Sequence, residues 1–166
     1  MKKYKTIAIL ALAVIMAGIL LTALGCNGTT SASNVLVKAV WITGEIQGDT
    51  VSIPADEVRD NIMTHFWTEI LEGSIASMAY VYNDDIYIRS NICPPCRSIG
   101  FSLQGNKLVF DSCGTTFQAE NGEGSIGTCV NYPKASIQYE VNDANIDLKS
   151  ADIISAYVKT FSPGMP

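Results

Sequence analysis

The 166-residue chain has almost no histidine, and His65 is the only one. No nucleophile–base pairing, phosphate-binding loop or carboxylate dyad stands out in the sequence. Charged residues make up 16% of the chain and apolar residues 48%, a balance that provides a hydrophobic core and excludes an intrinsically disordered protein. We therefore expect a folded protein that is not an enzyme.

Basic residues are also scarce. The formal net charge is −5, and Lys2, Lys3 and Lys5 account for three of the 11 basic residues. Beyond them, 8 basic residues face 16 acidic ones, for a net charge of −8. A surface with this charge repels nucleic acid and anionic lipid, so no nucleic-acid partner is expected.

The N-terminus has the features of an export signal. Three lysines precede an apolar run from residue 7 to residue 24, followed by Gly25 and Cys26. This pattern resembles the lipobox of bacterial lipoproteins, which implies a leader over residues 1–25 and lipidation of Cys26, although Ala23 stands where leucine is commoner. Because the run approaches the ~18 residues that span a bilayer, an uncleaved N-terminal anchor is the alternative. Both interpretations predict an extracytoplasmic domain anchored to the membrane of the cell envelope.

The remaining chain predicts one β-rich domain. Residues 26–33 are small and polar and predict a flexible tether, which leaves residues 34–166 for a single cysteine-containing domain. Short β-branched and aromatic runs predict a mostly β fold, a small barrel or sandwich, with a short C-terminal helix over 150–157 capped by Ser150. The other predicted elements are strands at 35–42, 51–53, 64–69, 99–103, 107–110 and 136–141, a hairpin over 79–89 turning at 83–85, and a short helix at 54–61. Four aromatic residues are predicted to build the core: Trp41, Trp67, Tyr80 and Tyr82.

Four cysteines lie beyond the leader, all within one stretch of the chain: Cys93, Cys96, Cys113 and Cys129. Apolar runs on either side of Gly105 and Asn106 predict a β-hairpin. Antiparallel pairing would place Ser98 opposite Cys113, so that Cys96 and Cys113 meet at one end of the hairpin. The glycine-rich loop over 121–127 has the freedom to fold back and deliver Cys129. We therefore expect the four thiols to converge.

Convergent thiols are compatible with several kinds of site. Outside the cytoplasm, the usual fate of four cysteines is two disulfides, with three possible pairings. Cys-x-x-Cys followed by Cys-Gly at a hairpin end has instead the form of two metal-binding knuckles, and a Cys-x-x-Cys bridge is strained. A thioredoxin-like motif needs a helix that starts at Cys93, and the β-like run after Ser98 does not supply one. Spacing alone leaves an iron–sulfur cluster, a zinc ion and two disulfides as alternatives.

The cysteine-containing segments resemble the FtrD-like family of membrane iron–sulfur proteins. The resemblance lies in residues 93–101, 111–117, 127–129 and 132–133, and it extends back to about residue 53 through residues 65–66 and 84–85. It implies electron transfer or a role in membrane ferrous-iron uptake, with an iron-transport or redox partner in the membrane. One departure is Phe110, which occupies the first position of a second Cys-x-x-Cys that is common in the family. Four thiolates remain, the number that a cubane cluster or a zinc ion requires.

A weaker similarity links residues 113–117 and Gly122 to the second ligand loop of Rieske domains. Cys113 stands where a Rieske histidine would stand, and neither loop contains histidine. A Rieske-type cluster is therefore excluded, whereas a Rieske-like β-fold is compatible with the pattern.

Three side chains are candidates for tuning a thiolate site through hydrogen bonds: Asp111, Arg97 and His65. Arg89 also flanks the cysteines in sequence. The alternatives are solvated surface charges and, for His65, an ordinary strand residue with satisfied hydrogen bonds.

Overall fold

A computed structural model describes residues 34–71, 73–142 and 144–162, all within the unit Ala32–Pro166. The predicted leader, Cys26 and the tether lie outside the described residues. Across the described ranges, no helix combines the length and the apolarity needed to cross a membrane.

The described chain is mostly β with a C-terminal helix, which confirms the predicted fold class. Its strands are β1 (Leu36–Val37), β2 (Val40–Trp41), β3 (Glu45–Gln47), β4 (Thr50–Pro54), β5 (Met63–Ile70), β6 (Gly73–Tyr82), β7 (Asp85–Ser90), β8 (Phe101–Gln104), β9 (Lys107–Phe110), β10 (Thr116–Gln118), β11 (Gly124–Ile126), β12 (Tyr139–Asn142) and β13 (Asn145–Lys149). Its helices are α1 (Ala55–Asn61) and α2 (Ser150–Thr160).

The strands form a first sheet in the order β1-β8-β9-β10-β11, a second in the order β12-β13-β4-β3, and a third in the order β2-β5-β6-β7. Neighbouring strands are antiparallel, with the exception of β2 and β5. The cysteine-bearing loops belong to the first sheet and to the connections at its end.

The third sheet has a buried cluster on each of its two faces. Side chains alternate between the two faces of a strand, and on β6 Ile75 and Ala79 join one buried cluster while Met78 and Tyr80 join another. The first cluster continues into the second sheet and α2, whereas the second continues into the first sheet through five buried residues: Phe101, Leu103, Leu108, Phe110 and Phe117. The third sheet is therefore the middle layer, and the cysteine-bearing sheet packs against one of its faces.

Two hairpins match the sequence prediction. Strands β6 and β7 turn at Asn83 and Asp84, whose φ values of 52° and 67° are typical of a two-residue turn with both central residues left-handed. Strands β8 and β9 turn at Gly105 and Asn106. The predicted strand at 64–69 and the predicted helix at 54–61 are confirmed as β5 and α1, apart from Pro54, which ends β4.

The prediction of one strand over 35–42 is wrong. β1 pairs with β8 in the first sheet, whereas β2 pairs with β5 in the third, because the chain crosses between sheets after Val37. The strand predicted at 136–141 begins at Tyr139, and Ser136 makes only an isolated bridge to Arg89. Helix α2 extends to Thr160, and its N-cap is Lys149 instead of Ser150.

The core prediction is wrong for the two tryptophans. Trp41 and Trp67 are 45% and 44% exposed, and their rings stack 5.2 Å apart on the surface. Tyr80 is fully buried as predicted, and Tyr82 is partly buried against the second cluster.

A four-cysteine candidate metal centre

The β8–β9 hairpin has the register that the sequence predicts. Its last ladder pair is Phe101 with Phe110, and the Asp111 N–H donates to the Gly100 carbonyl at 3.0 Å beyond it. Residues 111–113 then form a turn, so the predicted pairing of Ser98 with Cys113 lies beyond the observed ladder. Phe110 is fully buried, with its ring 4.9 Å from that of Phe101. The position at which the resemblance led us to expect a cysteine therefore carries a side chain of the hydrophobic core.

A tight turn presents the first two cysteines. The Cys93 N–H donates to the Ser98 carbonyl at 2.9 Å, and the Arg97 N–H donates to the Cys93 carbonyl at 2.7 Å. Arg97 takes the left-handed conformation, with a φ of 55°. Within this turn Cys93 points into the second buried cluster, whereas Cys96 is exposed.

A second turn presents Cys113 and ties it to Cys129. The Gly114 N–H donates to the Phe110 carbonyl, and the Phe110 N–H donates to the Thr115 carbonyl, each at 2.8 Å. The buried hydroxyl of Thr115 lies 3.1 Å from the Cys113 sulfur and accepts a hydrogen bond from the Cys129 N–H at 3.4 Å. Thr115 therefore connects the two loops that carry these cysteines.

The loop that delivers Cys129 depends on glycine for close approach. A Cβ atom on Gly127 would stand 2.5 Å from the Thr115 hydroxyl, and one on Gly124 would overlap the backbone of Val130. Real Cβ atoms essentially never approach other atoms this closely, so neither position accepts a larger residue without a shift of its neighbour. Gly122 and Gly127 also have positive φ values of 78° and 124°, so glycine supplies both the backbone conformation with which the loop folds back and the room for tight packing.

The four thiols lie near enough to one another to alter each other's pKa. The pKa of Cys93 is affected by Cys96 and Cys129, and that of Cys129 by Cys93 and Cys113. All four are free thiols. Across residues 34–71, 73–142 and 144–162, no group of three or more His, Cys, Asp or Glu side chains is drawn together tightly enough to hold one metal ion.

Burial and neighbouring hydrogen-bond donors shift the pKa values of the thiols in different directions. Burial raises the pKa of Cys93 to about 12, and the thiols of Cys129 and Cys96 add to the rise. Burial also acts to raise the pKa of Cys96, but the backbone N–H and hydroxyl of Ser98 outweigh it and lower that pKa. Cys129 behaves similarly, since its thiol and hydroxyl neighbours outweigh burial and lower its pKa. Cys96 and Cys129 are therefore easier to deprotonate than Cys93.

Lys134 is a site residue that sequence reasoning missed. It is only 1% exposed, and its Nζ donates to the Ile92 carbonyl at 2.8 Å. The same Nζ lies 4.7 Å from the ring centre of Phe117 and 5.6 Å from that of Phe101. Burial lowers the pKa of Lys134 to about 8, opposed by the charges of all four cysteines. A single lysine after Tyr132 and Pro133 carries no sequence signal that could have revealed this position.

Arg89 is a second buried cation, and it clamps the loop that carries Cys129. Its guanidinium donates to the carbonyls of Lys134 at 3.0 Å and Glu120 at 2.6 Å, and to the Tyr80 hydroxyl at 2.8 Å. The loop closes on itself where the Lys134 N–H donates to the Gly122 carbonyl at 2.8 Å. Arg89 thus fixes both ends of the segment that brings Cys129 to the site.

Of the three predicted tuning residues, Asp111 and His65 make other side-chain contacts in the described structure. Asp111 is exposed, accepts from the Ser102 hydroxyl at 2.6 Å and pairs with Lys38 at 3.7 Å. Arg97 has an exposed side chain. His65 is buried, and its Nε2 accepts from the Phe101 N–H at 3.4 Å. A tuning role for these three residues stays a prediction.

A family model described as "Membrane iron-sulfur containing protein FtrD-like" matches residues 58–161, more than half of the chain. The match contains all four cysteines of the site, together with Lys134 and Arg89. No curated protein matches the sequence.

The solved structures that are similar to the chain include three that contain ferredoxins. The ferredoxin–oxygenase complex of carbazole 1,9a-dioxygenase has 16% identity and a TM-score of 0.49, over 63% of this chain and 95% of that one. The Sphingomonas yanoikuyae B1 ferredoxin has 12% identity and a TM-score of 0.44, over 70% and 98%. The ferredoxin of carbazole 1,9a-dioxygenase from Nocardioides aromaticivorans IC177 has 14% identity and a TM-score of 0.45, over 69% and 97%. At these TM-scores the fold assignment rests on the sheets of the chain itself.

Proposed function

Because the chain belongs to the family of FtrD-like membrane iron–sulfur-containing proteins, we propose that Cys93, Cys96, Cys113 and Cys129 bind an iron–sulfur cluster. The protein would then carry electrons, or handle iron, for a ferrous-iron transport system at the membrane. The family description names an iron–sulfur protein and no catalytic activity, in agreement with the prediction that the chain is not an enzyme.

The donor set fits such a cluster. Four free thiols, carried by three separate turns, meet the ligand count of the common thiolate-bound clusters. The buried ammonium of Lys134, hydrogen-bonded to the residue before Cys93, suits a group that is negatively charged when bound by four thiolates. When bound, the cluster supplies a one-electron redox couple, and the protein contributes ligands, charge and exclusion of water.

The distribution of the cysteines over the surface supports electron exchange with a partner. Cys93 and Cys129 are buried in the hydrophobic cluster, whereas Cys96 and Cys113 are exposed. A group held by all four thiols would be anchored from within and accessible along one edge. Such an edge is where a redox partner could approach.

The cellular location is part of the proposal. The basic and apolar leader and Gly25–Cys26 support an extracytoplasmic domain that is anchored to the membrane through a lipid on Cys26 or through an uncleaved N-terminal segment. A membrane iron-transport or redox protein would then be the partner.

Anaerobic purification tests the cluster. We expect visible charge-transfer absorption and stoichiometric iron and acid-labile sulfide in the wild-type protein. Cys113→Ser should lose most of the iron, because one of the four ligands is removed, whereas Ser112→Ala on the same exposed turn should keep it. Stoichiometric zinc without sulfide would support the zinc alternative. Protein with Cys93–Cys96 and Cys113–Cys129 bridged and no metal would refute the metal site.

Mass spectrometry of the detergent-extracted protein tests the anchor. We expect the mature chain to begin at a lipidated Cys26, and Cys26→Ser to abolish the lipid and the cleavage. An intact Met1 in the membrane fraction would support the uncleaved anchor, and an unacylated protein released from the membrane would contradict both.

A further inference from the structure

We propose that Lys134 is the built-in counter-cation of the four-cysteine site and that its charge raises the reduction potential of the bound cluster. The inference rests on the proposed function and adds a positioning residue to it. Lys134 does not ligate; it acts on the site through its charge.

The first argument is burial without a carboxylate. Within the described residues, the ion pairs are Lys38 with Asp111 and Lys149 with Asp49, and neither includes Lys134. Removing a lysine ammonium from water is strongly unfavourable unless a negative group compensates its charge. At 1% exposure, Lys134 obtains no such compensation from solvent.

The second argument is placement. One hydrogen bond to the Ile92 carbonyl and the faces of Phe101 and Phe117 hold the Nζ atom in position. Ile92 directly precedes Cys93, so the hydrogen bond fixes the ammonium beside the turn that carries Cys93 and Cys96. The charges of the four cysteines raise the pKa of this ammonium against the larger effect of burial, which agrees with a counter-charge on the thiol side.

The third argument is that Arg89 does not perform this task. Its guanidinium is occupied by the carbonyls of Glu120 and Lys134 and by the Tyr80 hydroxyl. Arg89 therefore fixes the loop geometry, whereas the charged end of Lys134 is hydrogen-bonded to the residue that precedes Cys93.

The redox consequence follows from charge balance. One electron from a one-electron donor makes the loaded site more negative by one unit, and no proton or bond to Lys134 needs to change. A fixed positive charge stabilises the more negative state, and net charge near a cluster is one of the factors that set its potential. Removing the charge should therefore make reduction less favourable.

The test compares Lys134→Met and Lys134→Gln with Lys159→Met, which removes the same charge from an exposed position on α2. Mediator-coupled redox titration should show the equilibrium constant for reduction falling about tenfold or more in both Lys134 variants, or about 59 mV for a one-electron couple. Lys159→Met should stay near the wild-type value. The Lys134 difference should persist at high salt, because mobile ions do not screen a buried charge well.

The Lys134→Gln variant distinguishes the effect of the charge from that of the hydrogen bond, because a neutral glutamine can still donate to the Ile92 carbonyl. A wild-type potential in Lys134→Gln would overturn the inference while leaving the cluster in place. If the variants fail to load a cluster, zinc competition against a chromophoric chelator with reduced apo-protein gives a second measurement. There, both Lys134 variants should bind Zn²⁺ about tenfold or more weakly than Lys159→Met, and equal affinity would overturn the inference.

These outcomes are distinct from failure of the proposed function. If the wild type holds zinc but no iron or sulfide, the proposed electron carrier fails, and the zinc comparison still decides the role of Lys134. If the wild type binds neither, both proposals fail together.

Discussion

At the scale of the residue, Thr115 and Thr116 are adjacent threonines with opposite environments. The Thr115 hydroxyl contacts the Cys113 sulfur and the Cys129 N–H. The Thr116 hydroxyl is buried with no hydrogen-bond partner among the described residues. The hydroxyl of Thr115 therefore forms hydrogen bonds at the site, whereas burial of the Thr116 hydroxyl is destabilising because no hydrogen bond compensates it.

This pair yields a matched substitution experiment. Thr115→Val should lower the free energy of unfolding by about 1–3 kcal/mol, because it leaves the buried N–H of Cys129 without its acceptor. It should also loosen metal retention, since the loops of Cys113 and Cys129 lose their link. Chemical denaturation and metal analysis measure the two effects.

Thr116→Val is the control for the same change of shape. It removes a hydroxyl that has no partner in the described structure, so stability should stay constant or rise. Equal losses in the two variants would mean that the Thr115 hydroxyl does not link the loops.

At the scale of the element, the loop from Asn121 to Val130 is held from both sides. Arg89 binds the carbonyls of Glu120 and Lys134 near its two ends, and Gly127 packs against Thr115 in its middle. Although most of this short loop has no regular secondary structure, these contacts hold it rigidly enough to position Cys129. Its order comes from contacts with other elements.

Gly127→Ala tests this close approach. The φ of 124° is strained for alanine, and the added Cβ would meet the Thr115 side chain and backbone at 2.5–2.9 Å. We expect Gly127→Ala to destabilise the domain by about 3 kcal/mol or more and to release bound metal, as measured by thermal unfolding and metal content.

Gly73→Ala is the matched control, because Gly73 has a similar φ of 134° and nothing within 4 Å of an added Cβ. Its free energy of unfolding should fall only by the cost of the strained backbone conformation, about 1–2 kcal/mol, and the protein should keep its metal. If both variants behave alike, the contact with Thr115 does not constrain the loop.

At the scale of the whole molecule, His65 joins two layers of the fold. It belongs to β5 of the third sheet, and its Nε2 accepts from the Phe101 N–H of the first sheet. Burial lowers the pKa of His65 from 6.5 to about 4, against a smaller opposing effect of Asp111. The folded protein therefore holds this imidazole neutral at pH values where the unfolded chain protonates it.

The sign of the pH dependence follows from proton binding. Between pH 6.5 and about 4 the unfolded state binds a proton at His65 that the folded state does not, so stability is complete above pH 6.5 and falls as the pH decreases. The loss across this window is on the order of 3 kcal/mol. Urea unfolding at several pH values should show this loss in the wild type.

His65→Gln removes the titrating group and keeps an acceptor for the Phe101 N–H. Carboxylates titrate equally in both proteins, so the difference in stability between wild type and variant should shrink as the pH falls from 7 to 4. Parallel pH profiles would contradict the assignment of this dependence to His65.

Some features of this protein follow from the sequence by itself. The turn residues Asn83–Asp84 and Gly105–Asn106 specify two hairpins, because backbone conformation at a tight turn depends on the residues within it. The predicted hairpin register agrees with the observed ladder between Phe101–Phe110 and Gln104–Lys107 for the same reason. The four cysteines and the family follow from motifs that lie close together along the chain.

Only the tertiary structure decided the surroundings of those cysteines. The burial of Lys134, the clamp of Arg89 and the contact between Gly127 and Thr115 join residues from separate elements. The exposure of Trp41 and Trp67, against the sequence expectation, has the same origin, because the layers leave that side of β2 and β5 uncovered. Local pattern determines what a segment becomes, but burial and charge depend on which distant segments pack against it.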